Sequence, residues 1–441
     1  MVYPAGETGN RYVARTLYRK LTIALCALAM AAVSARAAGP SLLFDPATGE
    51  VLSQDRAGEP WYPASITKLM TSYLIFKKLK AGTLKLDQKI TVSDIAHEQP
   101  PSKIGVPVGK TVSVDFALQA LLVYSANDMA YVLAEATESW PDFVTEMNAT
   151  ARTLGMTGTH FMNPNGLFEP RHISTARDIA ILVSAIVSEF PEYAHYFKQP
   201  NVAVGKKHLS NRNSLLRKMP EADGMKTGFV CDSGFNLVAT ATHDGRRLAS
   251  IIFGSPSGKA RADLAQLLLT DGFTRTPDVA RPKLADVANQ ATGSIVPADM
   301  APEVCKTKPI TLAYAEDMQN WGISFGTYDT AAKADMALRG RLLTSYGLDA
   351  GGLAGILEMP NKGGFAAVLA NIDQQKGAAL CAQYRADKAP CEVLTPQVFQ
   401  QIAALMPKPK TKAGNNEPGD DDGEAEGSDG KAKAPAPAKK P

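Results

Sequence analysis

Three short motifs, Ser65-Ile-Thr-Lys68, Ser125-Ala-Asn127 and Lys226-Thr-Gly228, stand in this order along the chain. If they serve one site, they constrain the fold more than any other feature. The start of a helix, a break between helices and a strand edge must then meet in one cleft from distant parts of the sequence. Each motif supplies a different part of an acyl-transfer apparatus that needs no histidine, metal or cofactor: a nucleophile beside an amine, a hydroxyl relay and a cationic strand edge. Ser-x-x-Lys recurs as Ser428-Asp-Gly-Lys431 in a tail without folding composition, so only the combination is specific.

The length of 441 residues, with 45% hydrophobic content, allows two or three domains with ample core. A net charge of +3 and the lack of a basic stripe with interleaved aromatics exclude nucleic acid as a partner class. Arg11, Arg15, Arg19 and Lys20 precede an apolar run from Leu21 to Val33, and Ala35-Arg36-Ala37 offers a cleavage site. Residues 1–37 therefore read as an export signal, too short in its apolar part to span a bilayer. Cys26 falls within that signal. Export leaves Cys231, Cys305, Cys381 and Cys391 where disulfides persist, with three full pairings open. Cys231, close behind Lys-Thr-Gly, reads as a buried small hydrophobe rather than a second nucleophile.

Leu42 to Gln54 reads as strand, turn and strand around Asp45-Pro-Ala-Thr-Gly49. A helix is expected from Ser65, where Ile66, Leu69, Met70, Tyr73 and Leu74 recur at helical spacing. Asp115 to Ala136 carries two helical patterns broken at Ser125-Ala-Asn-Asp128. Strands are expected at 223–230, 235–241 and 248–254. Helices in the middle and strands at both ends predict an α/β sandwich on an antiparallel sheet. Thr276 to Glu303, rich in proline and without periodicity, reads as part of a linker. Order returns at Trp321-Gly-Ile-Ser-Phe-Gly-Thr-Tyr328 as a strand, then a helix over 331–343, a strand over 366–371, a helix over 374–385 and a strand over 391–394. Val398, Phe399, Ile402, Leu405 and Met406 form a short apolar face, and beyond Pro407 the composition predicts disorder.

A helix starting at Ser65 puts Lys68 one turn on, on the same face. Lysine can take the serine proton only if burial and a second cation, Lys226, pull its pKa below the usual ~10.4. Ser125 could pass that proton on, and Asn127 could hold Lys68 or the substrate. Lys226 and Thr227 could bind a carboxylate on a peptide lying along the strand edge. Each motif also has a plainer reading: a solvated lysine, the cap of a following helix, or a hairpin turn with an exposed lysine.

Residues 40–275 resemble a serine-type D-alanyl-D-alanine carboxypeptidase, a low-molecular-mass penicillin-binding protein of peptidase family S11. The resemblance extends through Trp61-Tyr-Pro-Ala-Ser65, Leu154-Gly-Met-Thr-Gly-Thr-His-Phe-Met-Asn-Pro-Asn-Gly-Leu167, Ser174-Thr-Ala-Arg-Asp178 and Gly234-Phe-Asn-Leu-Val-Ala239. It implies a β-lactamase/transpeptidase-like fold over 38–275 and a periplasmic location. It also implies that Ser65 attacks stem peptides ending in D-Ala-D-Ala and is acylated by β-lactam antibiotics. Lys68 would be the base, Ser125 the relay and Asn127 an orienting group. Lys226, Thr227 and Gly228 would line the carboxylate site, Ser65 and Phe229 would supply the oxyanion N–H groups, and Arg261 would help bind carboxylate. One departure is Val230, where the family commonly has threonine.

After a linker over 276–317, residues 318–396 resemble a small ferredoxin-like SPOR domain, and 397–441 is expected as a disordered tail. That second resemblance implies binding to denuded glycan strands, a place at the division septum and a Cys381–Cys391 disulfide. A class A-like β-lactamase is the main alternative, but its Glu-x-x-Leu-Asn pattern is missing from Asn163-Pro-Asn-Gly-Leu-Phe-Glu-Pro170. A DD-endopeptidase and a non-catalytic peptidoglycan-binding protein are further alternatives.

Overall fold

The computed structural model describes residues 39–306 and 318–404, apart from 292, 294 and 360–362. The export signal expected over 1–37 and the residues past 404 lie outside the described residues. The expected hairpin forms as β1 (Ser41–Phe44) and β2 (Val51–Asp55), turned by Asp45, whose carboxylate accepts from the Ala47 and Thr48 amides. A single 3-10 turn at Ala64–Thr67 leads into α1 (Lys68–Lys80), then α2 (Asn127–Glu135), α3 (Trp140–Leu154) and α4 (Ala176–Glu189). Strands β3 (Ala222–Val230), β4 (Gly234–His243) and β5 (Arg246–Ser255) precede α5 (Gly258–Thr274). They close an antiparallel sheet in the order β2-β1-β5-β4-β3.

Period-2 alternation builds the sandwich. In β5, Ala249, Ile251 and Phe253 face the helical core, while Leu248 and Ile252 face Ala265 and Leu269 of α5. Helix α1 runs through the larger core, with every residue from Lys68 to Phe76 buried. A buried lysine at its first position therefore follows from the route of the helix. Strand β3 lies at the end of the sheet, with one edge turned to the start of α1.

The segment read as a linker is laid along this unit. Val51 N donates to Pro282 O (2.9 Å), Leu284 N to Gly49 O (2.8 Å) and Gln290 N to Gly58 O (2.9 Å). Its end is fixed by Met300 N on Asp232 O (3.1 Å) and by a Cys231–Cys305 disulfide. Cys231 is thus a half-buried cross-link, one of the pairings the sequence left open, rather than the buried small hydrophobe also read there. Apart from short helical turns at Leu284–Asp286 and Ala301–Val304, the segment follows no regular pattern, yet its amides pair with loop carbonyls.

A four-stranded sheet follows. Its elements are β6 (Trp321–Tyr328), α6 (Ala331–Leu342), β7 (Leu353–Glu358), β8 (Phe365–Ile372), α7 (Gln374–Ala386) and β9 (Glu392–Leu394), with strand order β7-β8-β6-β9. Leu338, Leu342, Leu380 and Tyr384 of the helices cover one face, and Cys381 is bonded to Cys391. Residues 397–404, expected as the start of a disordered tail, instead lie in α8 (Pro396–Ala404). Its Phe399 is fully buried with Met318, Leu357 and Val368 on the other face of the sheet, which gives its short apolar stripe a packing role.

Candidate active site

The first two motifs meet at the start of α1. Ser65 sits half-buried in the 3-10 turn, and Lys68 is wholly buried. The Lys68 Nζ lies 2.7 Å from Ser65 Oγ, 2.8 Å from Asn127 Oδ1 and 2.7 Å from the Asn165 carbonyl oxygen. Burial, then repulsion from the Lys226 cation, holds the amine well below the usual lysine range, with Asp128 pulling weakly the other way. A neutral amine carries two hydrogens and one lone pair. Asn127 Oδ1 and Asn165 O can only accept, so they take the hydrogens and the lone pair is left for the Ser65 hydroxyl. The arrangement is that of a base aimed at a nucleophile.

The break before α2 has its own geometry. Helical residues 114–119 widen into a π-turn over Ala120–Tyr124, which ends on Ser125 at φ 67° and ψ 31°. This left-handed conformation costs a non-glycine residue about 1–2 kcal/mol. Ala126 N to Ala120 O (3.0 Å) and Asn127 N to Ser102 O (2.7 Å) hold it. No side chain caps α2, so the plainer reading of Ser125 and Asn127 as caps does not describe them. The Asn127 amide nitrogen donates to the Pro100 and Pro101 carbonyls, which fixes its oxygen toward Lys68.

Lys226 projects from β3 and donates to Ser125 Oγ (2.8 Å) and to Thr227 O (2.9 Å). With its oxygen accepting from Lys226, the Ser125 O–H is free to point elsewhere. A Cβ on Gly228 would come within 2.8 Å of Pro63 O and 3.1 Å of Ser65 N. Glycine there lets the strand edge approach the Ser65 N–H. Gly166, at φ +84°, packs so closely that a Cβ would sit 1.9 Å from Ala64 O. The cleft of about 290 Å³ between these walls is lined by Ser65, Ser125, Asn127, Thr227, Gly228 and Phe229, with Val230 at its edge.

Arg261 is placed differently from the sequence expectation. It is buried behind β3 and donates to the Gly228 and Asn236 carbonyls (3.2 and 3.3 Å), and it does not line the cleft. Its long side chain starts from α5 on the far face of the sheet, so it reaches the strand's backbone before it reaches the cavity.

Sequence reasoning missed two participants. The Asn165 carbonyl has no side-chain signature, and Arg212 lies in a polar loop without a motif. Arg212 lines the cleft with its guanidinium over the Tyr124 ring at 4.5 Å. The loop carrying Asn165 is pinned from below by His172, whose Nδ1 accepts from Met162 N (3.2 Å), leaving Nε2–H for Thr67 Oγ1 (2.8 Å). Burial, aided by His160 and Lys68, pushes this imidazole down to about 3. Glu169, in the same loop, is engaged by Arg171 Nε (2.9 Å).

The sequence model of the D-alanyl-D-alanine carboxypeptidase family matches residues 27–257, just over half of the chain. Among curated proteins, the chain is 38% identical over 240 residues to D-alanyl-D-alanine carboxypeptidase DacC of Escherichia coli, covering 53% of this chain and 60% of that one. It is 35% identical to DacA of Haemophilus influenzae, covering 53% and 61% respectively. The matches thus span about three-fifths of these relatives. Among solved structures, penicillin-binding protein 5 from Haemophilus influenzae is similar, with TM-score 0.53 and 34% identity over 54% of this chain and 71% of that one. Penicillin-binding protein 6B from Escherichia coli gives TM-score 0.52 and 33% identity over 55% and 80%.

Proposed function

The chain belongs to the D-alanyl-D-alanine carboxypeptidase family, peptidase S11, and from that premise we propose that it is a serine DD-carboxypeptidase. It removes the terminal D-alanine from peptidoglycan stem pentapeptides through an acyl-enzyme on Ser65. The observation that carries this reading is the buried Lys68 amine, shared between the Ser65 hydroxyl and two carbonyl oxygens. Lys68 accepts the Ser65 proton as Oγ bonds to the carbonyl carbon between the two D-alanines. The oxyanion faces the Ser65 and Phe229 N–H groups, which a preorganised site makes worth several kcal/mol. Ser125, oriented by Lys226, hands a proton to the nitrogen as the C–N bond breaks and D-alanine leaves. Lys226 and Thr227 receive the substrate carboxylate, and Arg261 supports the strand that carries them. Water then cleaves the ester.

Glu169 bears on the β-lactamase alternative. That reading needs a glutamate to activate the deacylating water, and Glu169 is engaged by Arg171 outside the cleft lining. β-Lactams should therefore acylate Ser65 and leave slowly. The test supplies the mature protein with a D-Ala-D-Ala pentapeptide and, separately, with labelled penicillin. One D-alanine released per peptide and a long-lived label are expected. Fast penicillin turnover without D-alanine release would favour a β-lactamase, and neither reaction would favour a binding protein.

The proposal extends to export by residues 1–37 into the periplasm and to a SPOR-like unit over 318–396 that binds denuded glycan strands at the septum. The β-α-β-β-α-β order and the Cys381–Cys391 bond support it. Amidase-treated sacculi should retain the full chain but not one ending at residue 306. Equal retention of both removes the glycan claim.

A further inference from the structure

Arg339, near the end of α6, is 2% exposed and so buried despite its charge. Its Nε bonds Asp335 one turn back on the same helix at 2.5 Å. Its Nη2 crosses to the first unit and bonds Asp232, in the turn between β3 and β4. The guanidinium lies over the Tyr62 ring at 5.1 Å and the Phe168 ring at 4.7 Å. Leu343 of the second unit packs into the same cluster with Tyr62 and Ile173. Arg171 reaches the opposite way, donating from its loop to the Gly351 and Gly352 carbonyls (2.8 and 3.1 Å).

Besides Asp299 of the packed segment, 3.9 Å away, the residues that Arg339 touches on the first unit all flank elements of the active site. Tyr62 lies three positions before Ser65. Phe168 follows Gly166 and Leu167 of the cleft lining, in the loop whose Asn165 carbonyl holds Lys68. Asp232 stands two positions after Val230, at the end of the strand that carries Lys226 and Phe229. One side chain from the C-terminal unit therefore meets the segment leading into the nucleophile's turn, the loop behind the base and the turn that ends the strand edge. Apolar contact alone would join the units without fixing their register. A planar guanidinium held by two carboxylates at fixed angles fixes it.

We propose that Arg339 is a positioning residue for the hydrolytic reaction, and that the C-terminal unit completes the active site in addition to any role in binding glycan. The inference rests on the carboxypeptidase reading above. It predicts that disturbing Arg339 slows chemistry in molecules that remain folded, since misplacing reacting groups by about 1 Å can cost on the order of 100-fold.

The experiment uses the full-length mature protein with Arg339→Met, Arg339→Lys and Asp232→Asn, and with Met336→Ala, on the exposed side of α6, as control. Acylation by labelled penicillin is measured per folded molecule, with the folded fraction taken from circular dichroism. D-Alanine release and the pH of its acid limb are measured alongside. Arg339→Met and Asp232→Asn should each slow acylation about 10- to 100-fold and displace the acid limb, because the Asn165 carbonyl on Lys68 shifts with its loop. The two changes combined should cost no more than either alone, as expected for a shared contact. Arg339→Lys, which keeps the charge but not the fork, should fall between, and Met336→Ala should match wild type. If Arg339→Met does not fold, the near-isosteric Asp232→Asn carries the decision. Variants that melt earlier yet acylate at the wild-type rate per folded molecule overturn the inference and leave the carboxypeptidase reading standing. Wild-type protein that neither labels nor releases D-alanine overturns that reading, and the inference with it.

Discussion

Ser65→Ala should take up no labelled penicillin and should release D-alanine at least about 10⁴-fold more slowly than wild type, because the residual catalysis left by binding and oxyanion donors alone is small. The substitution removes one oxygen from a half-buried position, so the fold should persist and the loss should fall on kcat. Peptide mapping of the wild-type adduct should place the label between residues 64 and 68. Equal labelling of wild type and variant would mean that another nucleophile reacts, and Ser428 of the second Ser-x-x-Lys match would be the next to test.

Lys68→Met should lower D-alanine release by about 10³-fold or more, within the range for loss of a positioned general base. The pH profile separates a base from a merely structural lysine. Burial and the Lys226 cation hold Lys68 well below the ordinary range, so acylation should rise with pH through an acid limb in that lowered region and then level off. Lys226→Gln removes the repelling cation, which lets Lys68 hold its proton more readily, so the limb should move to higher pH. Asp128→Asn removes the carboxylate that favours the ammonium, so the limb should move to lower pH. Stability is linked to the same proton. As pH falls from about 10 toward the depressed value, the unfolded chain gains a proton that the folded chain refuses, so wild type loses stability there. Lys68→Met should lack that slope. Near-normal release by Lys68→Met, or a limb unmoved by both charge changes, would remove Lys68 from the mechanism.

What the sequence made legible is side-chain chemistry carried on regular elements. Ser65, Lys68, Ser125, Asn127 and Lys226 announce themselves by type and spacing, and strands β3 to β5 by alternation between turns. What stayed hidden depends on the main chain or on contacts between distant segments. The Asn165 carbonyl is a partner of Lys68 that any residue could supply. The left-handed Ser125 looks, in sequence, like an ordinary capping residue. Arg261 was placed by its distance along the chain, which cannot tell which side of a strand a long side chain serves. The packed path of residues 276–306 uses backbone amides with no periodic pattern, and Cys231 pairs with a residue at its far end. Phe399 read as part of an isolated apolar stripe because the sheet face it covers is assembled from four separated strands.

The turn that follows the Lys-Thr-Gly strand has consequences for when the protein becomes active. Its clamps arrive late in synthesis: Cys305 is 74 residues downstream of Cys231, and Arg339 is 107 downstream of Asp232. A nascent chain that has already presented all three catalytic motifs still lacks the fastenings of its own strand edge. If Arg339 positions the site as proposed, competence waits until residue 339 has been delivered, and a product terminated before it would be a poor hydrolase even with every reacting side chain in hand.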